Sequence, residues 1–121
     1  MSAPEPPRLR VEPLAIDRWR ITNEGPGAVR VLETWLPHGR FRGDARRHDL
    51  SIAPGASATL ELPVRTAGAA GETVENAFLI LRLEEWRVLA RLAIRFDAER
   101  RPRAEVVVVT SQRAGFSGVE G

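Results

Sequence analysis

Residues 76–96 constrain the chain most: they form its longest apolar stretch, broken once by Arg82-Leu83-Glu84-Glu85 and then by an arginine at every fourth position. From Trp86 onward the even positions are Trp86, Val88, Ala90, Leu92, Ile94 and Phe96, and the odd ones Arg87, Leu89, Arg91, Ala93 and Arg95. That period of two belongs to a half-buried strand. A turn centred on Glu84-Glu85 pairs Leu83 with Trp86 and sets Leu81, Leu79 and Ala77 beside Val88, Ala90 and Leu92 on the buried face. Phe78, Ile80 and Arg82 then share the outer face with Leu89, Arg87 and Arg91. The rival is one helix over residues 74–98, which puts Glu84, Arg87, Arg91 and Arg95 on a single stripe. It also sets Val88, Leu92 and Ile94 near that stripe, so the hairpin is preferred.

With 121 residues the chain fits one domain that buries about two-thirds of its unfolded surface. We expect a proline-rich, poorly ordered lead-in over residues 1–8, a single domain over residues 9–110 and a flexible tail over residues 111–121. The absence of cysteine excludes disulfides, thiolate metal sites and cysteine nucleophiles together. All 18 basic residues are arginine, which lifts the pI to 10.8 although the formal charge is only +2. We read the lack of lysine as the mark of a GC-rich coding sequence. The first residues lack the basic start and apolar core of a signal peptide, and no apolar run is long enough to span a bilayer. The expected compartment is the cytoplasm, with no membrane association.

Short alternating stretches recur on either side of the hairpin. Leu9, Val11 and Leu14 alternate with polar residues in a first strand that Pro13 ends or bulges. Trp19 and Ile21 lie on one phase of a second strand, and Asn23-Glu24-Gly25-Pro26-Gly27 reverses the chain, with its glycines available for positive φ. Residues 28–36 carry apolar side chains on both phases, which calls for a bulge near Glu33 or a central position in a sheet. Residues 37–49 lose the apolar signal and read as a long polar loop. Leu50 and Ile52 resume a short strand, Ala53-Pro54-Gly55-Ala56 makes a turn, and Leu60, Leu62 and Val64 alternate inward. Residues 65–72 read as a loop. Four consecutive valines, 106–109, read as a last strand buried on both faces, available to cover the outer residues of the hairpin. Seven or eight short strands spaced by turn signals point to an all-β fold, an antiparallel β-sandwich.

At this level the chain resembles the immunoglobulin-like sandwich families of bacteria and eukaryotes that include the MSP-like and CARDB-like domains. The residues concerned are Trp19-Arg20-Ile21-Thr22-Asn23-Glu24-Gly25, the apolar stretch 28–31, and Leu50-Ser51-Ile52-Ala53-Pro54-Gly55-Ala56 with the strand that follows. The resemblance implies a binding or spacer module rather than a catalyst. The chain departs from antibody-type domains in having neither a cysteine pair nor any tyrosine.

Candidate sites follow from residue chemistry. Arg40, Arg42, Arg46 and Arg47, with His38 and His48, make the polar stretch a candidate anion site, since guanidinium groups grip phosphate or carboxylate in a fork. His38, His48, Asp44 and Asp49 are the only candidate metal ligands there, and the neighbouring arginines repel a cation. A second basic set, Arg87, Arg91, Arg95, Arg100, Arg101 and Arg103, faces the acidic Glu61, Glu72, Glu75, Glu84 and Glu85, so nucleic-acid binding is disfavoured. No serine sits in a nucleophile elbow, and the adjacent Glu84 and Glu85 point to opposite sides, so no enzyme and no cofactor are expected. Trp19, Trp35 and Trp86 read as core. The outer apolar residues Leu32, Phe78, Ile80 and Leu89 mark an interface. The sequence thus describes a non-enzymatic module that binds a protein partner or forms a homodimer. Its alternative is an anion-binding module built on residues 38–49.

Overall fold

The computed structural model describes residues 6–38 and 41–113. Its nine strands are β1 (Leu9–Ala15), β2 (Arg18–Asn23), β3 (Val29–Leu36), β4 (Phe41–Ile52), β5 (Ser57–Glu61), β6 (Arg65–Thr66), β7 (Thr73–Arg82), β8 (Trp86–Phe96) and β9 (Pro102–Arg113). A three-stranded sheet runs in the order β1-β2-β5, and a six-stranded sheet in the order β6-β4-β3-β7-β8-β9. Every pairing is antiparallel. The inner faces enclose one core in which Trp19 and Ile21 of the small sheet join Val31, Leu79, Leu81, Val88, Leu92 and Ile94 of the large one. The described residues thus form an all-β sandwich of two antiparallel sheets, with no helix long and apolar enough to cross a membrane.

The β7–β8 hairpin has the register its alternation demands. Leu81 faces Val88, Leu79 faces Ala90, Ala77 faces Leu92, and the Leu83 amide donates to the Trp86 carbonyl at 2.8 Å across the Glu84-Glu85 turn. Val74 and Ala77 are both buried although an odd number of residues apart. One residue is inserted between them, and Asn76, at φ 62°, supplies the left-handed conformation of that bulge.

Bulges also settle the phase of two other strands. In β3 the register shifts between Val31 and Glu33, so Val31, Thr34 and Leu36 all face inward from a strand central to its sheet. In β1 the shift falls between Pro13 and Ala15, and it turns Leu14 outward to 44% exposure rather than into the core.

Three stretches depart from the sequence expectation. Residues 41–52, expected as mostly loop, form the twelve-residue strand β4. Most of its side chains are exposed on both faces near the edge of the sheet, so hydrogen bonding to β3 rather than apolar burial defines it. The two-residue β6 lies within an expected loop and pairs with the start of β4. The valine strand is neither doubly buried nor a cover. β9 pairs with β8 along its length as the edge of the large sheet, and a bulge opposite Arg91 and Leu92 leaves Val107 51% and Val108 43% exposed. Val106 and Val109 still lean on the core. β9 also continues to Arg113, beyond the expected domain end at residue 110.

One buried side chain ties the two sheets together at an end. Asn23, wholly inaccessible, donates from Nδ2 to the carbonyls of Gly27 at 2.8 Å and Ile52 at 3.0 Å, while its Oδ1 accepts the Gly25 amide at 3.0 Å. Its backbone carbonyl accepts from Gly55 at 2.7 Å, and its amide donates to the Ala56 carbonyl at 2.9 Å. The reversal after β2 therefore rests on this asparagine, and neither Gly25 nor Gly27 takes positive φ. The Pro54-Gly55 turn behaves as its residues require, with Gly55 at φ 81° and the Ala56 amide donating to the Ala53 carbonyl at 3.0 Å.

Candidate functional site

Antiparallel register fixes which side chains share the outer face of the large sheet. One row runs from Trp35 on β3 through Ile80 and Leu89 to Thr110 on β9. The next holds Phe78, Arg91 and Val108. On the turn side of these rows lie Glu33, Arg82, Arg87 and Gln112, and on the opposite side lie Ala93 with Glu105 and then Arg95 with Arg103. Trp35, Phe78, Ile80 and Leu89 are all half-buried. Because β9 extends the sheet sideways, no strand among the described residues packs over them.

Of the four residues expected at an interface, the structure gathers Phe78, Ile80 and Leu89. Leu32 stands in the β3 bulge, half-buried and without a register partner on either side. Trp35, expected in the core, takes its place in the apolar row. The sequence signal that finds it is the doubly apolar pattern of β3, once the bulge near Glu33 shifts the phase. Trp86 packs against the core from the end of the hairpin while staying half-buried, with the Arg113 guanidinium 5.5 Å from its ring centroid. Trp19 alone of the three is fully buried.

The described arginines of residues 38–49, Arg42, Arg46 and Arg47, do not gather on one surface. Arg40 lies outside the described residues. Arg42 approaches Asp44 at 3.2 Å, and the same carboxylate accepts from Arg65 at 3.1 Å. Arg46 and Arg47 are consecutive on a strand and so point to opposite faces, Arg47 sharing the outer face with Glu33.

The candidate metal ligands are likewise occupied elsewhere. Asp49 accepts from Arg30 Nε at 2.8 Å. His48 Nε2 lies 2.7 Å from the buried Thr34 hydroxyl, and burial, followed by the charge of Arg46, holds its pKa below 6.5. Among the described residues no group of three or more histidines or acids is placed to hold a metal ion.

Two hollows of about 670 Å³ open at the margins of the sandwich. One lies between the Asn23 turn and the Glu84-Glu85 turn. The other is a cleft where β4 and β5 leave the sheets unjoined, with Leu14, Arg18, Arg46, His48 and Glu61 on its walls. A smaller hollow of about 300 Å³ lies over the small side chain of Ala93, rimmed by Thr73, Arg95, Arg103 and Glu105.

Compared with known proteins, the chain matches no family model, no curated protein and no solved structure.

Proposed function

We propose that the chain is a non-enzymatic, immunoglobulin-like binding module that seats a protein partner on the outer face of its large sheet. The observation that carries this is the uncovered apolar row Trp35, Ile80 and Leu89 with Phe78 beside it. An apolar patch of this kind on a β-sheet, rimmed by charged residues, is the ordinary setting of a protein interface. The immunoglobulin-like assignment draws support from the Asn23 cluster. The Asn-x-Gly strand end and the Pro-Gly turn, distant in sequence, are its two halves.

The test places a photo-reactive cross-linker at Leu89 and, as a control, at Ser57 on the small sheet, in protein exposed to extract from the source cells. A partner, or a second copy of the chain, cross-linked from Leu89 alone and lost in Ile80→Asp is the expected result. Equal labelling from both positions, or labelling indifferent to Ile80→Asp, overturns the assignment to this face. Circular dichroism on Ile80→Asp separates loss of binding from loss of fold.

A further inference from the structure

The chemistry of the occupant follows from the arginines around the apolar row, and this step rests on the binding-face reading above. Arg82 and Arg87 are directly opposed across β7 and β8, and Arg95 and Arg103 across β8 and β9. Like charges directly opposite one another on a sheet destabilise it. Arg91 stands between the two pairs on the same face. Arg82 has only a long contact with Glu33, at 3.9 Å, while Arg87, Arg91 and Arg95 have no ion pair or hydrogen-bond partner among the described residues. Arg87 Nε is moreover buried without an acceptor. The acids on this part of the face are Glu33, already turned toward Arg82, Glu105 at the rim of the Ala93 hollow, and the exposed Glu75 in the β7 bulge opposite Ala93.

From this we infer that the outer face recognises an acidic protein segment, its apolar side chains on Phe78, Ile80 and Leu89 and its carboxylates on Arg87, Arg91 and Arg95. The spacing is specific. Residues four apart on a strand are about 13 Å apart, with Leu89 and Ala93 midway between successive arginines. An extended segment with a carboxylate at every fourth residue and an apolar residue between them matches that repeat. A second copy of the chain is a poor occupant, because it brings the same arginines to the same face. Nucleic acid shares the charge, and Trp35 and Phe78 set rings on the same face, so single-stranded DNA is the competing occupant that the experiment separates from an acidic peptide.

The experiment uses the full chain and three probes: a short peptide repeating Glu-Thr-Leu-Thr, its Lys-Thr-Leu-Thr counterpart, and single-stranded oligothymidylate. Binding is followed by fluorescence anisotropy at salt concentrations from about 50 to about 500 mM. The glutamate peptide is expected to bind most tightly, to weaken as salt rises, and to lose about tenfold in affinity with Arg91→Glu. The same variant is expected to gain affinity for the lysine peptide. Arg95→Glu repeats the measurement on an independent position, with circular dichroism reporting the fold of both. Equal binding of the two peptides overturns the acidic partner while leaving an apolar binding face in place. Tighter binding of oligothymidylate overturns it in favour of nucleic acid. Failure of every probe overturns the inference, and the cross-linking at Leu89 then decides separately whether the face binds protein at all.

Discussion

Asn23 shows how one polar side chain can hold an otherwise apolar interior in register. Both of its amide protons and its side-chain oxygen are engaged, and every partner is a backbone group, the Ile52 carbonyl buried and the Gly25 and Gly27 groups part-buried. Asn23→Ala leaves the carbonyls of Gly27 and Ile52 unpaired, so a loss of about 2–4 kcal/mol in urea unfolding is expected. Asn23→Asp should fare no better, since a carboxylate cannot donate to either carbonyl. Gly68 illustrates the opposite constraint, one of volume. A Cβ there would stand 2.3 Å from the ring of Phe96, which is itself 1% exposed and has nowhere to turn. Gly68→Ala should therefore lower the free energy of unfolding, measured in urea, by about 1–3 kcal/mol. Alanine at Gly27, where added atoms meet nothing within 4 Å, is the control expected to change little.

Among the elements, legibility followed burial. The β7–β8 hairpin could be read to the level of register because each strand has one face in the core, and a slip of one residue would expose that whole face. β4 could not be read. Arg42, Arg46 and Arg47 are exposed on both sides of it, so the period of two carries no hydropathy. The four valines of β9 misled for the reverse reason. Hydrophobic composition does not distinguish a buried central strand from an edge strand whose bulge turns two residues outward. Bulges also explain why the outer apolar row was only partly visible, since Trp35 joins it through a shift of phase inside β3. The bulge in β7 makes a prediction of its own. Asn76 is exposed and takes φ 62°, so its conformation rather than its contacts decides what may replace it. Asn76→Gly should change stability by less than about 0.5 kcal/mol, whereas Asn76→Val, forced into the left-handed region, should lose about 1–2 kcal/mol. Thermal unfolding of the two variants side by side checks this, and equal losses would mean that the bulge depends on the asparagine side chain.

At the scale of the whole molecule, the sandwich is closed unevenly. β9 lies beside β1, where the Ser111 hydroxyl reaches the Pro7 carbonyl at 3.5 Å, while β4 and β5 stand apart across the cleft that holds His48. His48 is half-buried on its wall, beside the Thr34 hydroxyl and the positive Arg46, with Arg18, Asp49 and Glu61 also lining the cleft. Burial is the largest influence on the ring and the charge of Arg46 the next, and both hold the pKa below its ordinary 6.5. The unfolded chain therefore binds a proton at His48 more readily than the folded one. Stability from this group is fully present above about pH 6.5 and is lost as the pH falls from there through the folded-state pKa, below which no more is lost. Unfolding midpoints measured from about pH 8 down to about pH 5 should fall below about pH 6.5. His48→Gln keeps a polar group near Thr34 without a titrating ring and should flatten that part of the profile. Because His48 stands where the sheets are least joined, the acid-weakened state should open there first. Hydrogen-exchange protection factors, taken relative to the intrinsic rate at each pH, should then fall in β4 and β5 before β7 and β8 as the pH drops, and protection that falls evenly across both sheets would show that the cleft is not the weak edge of the sandwich.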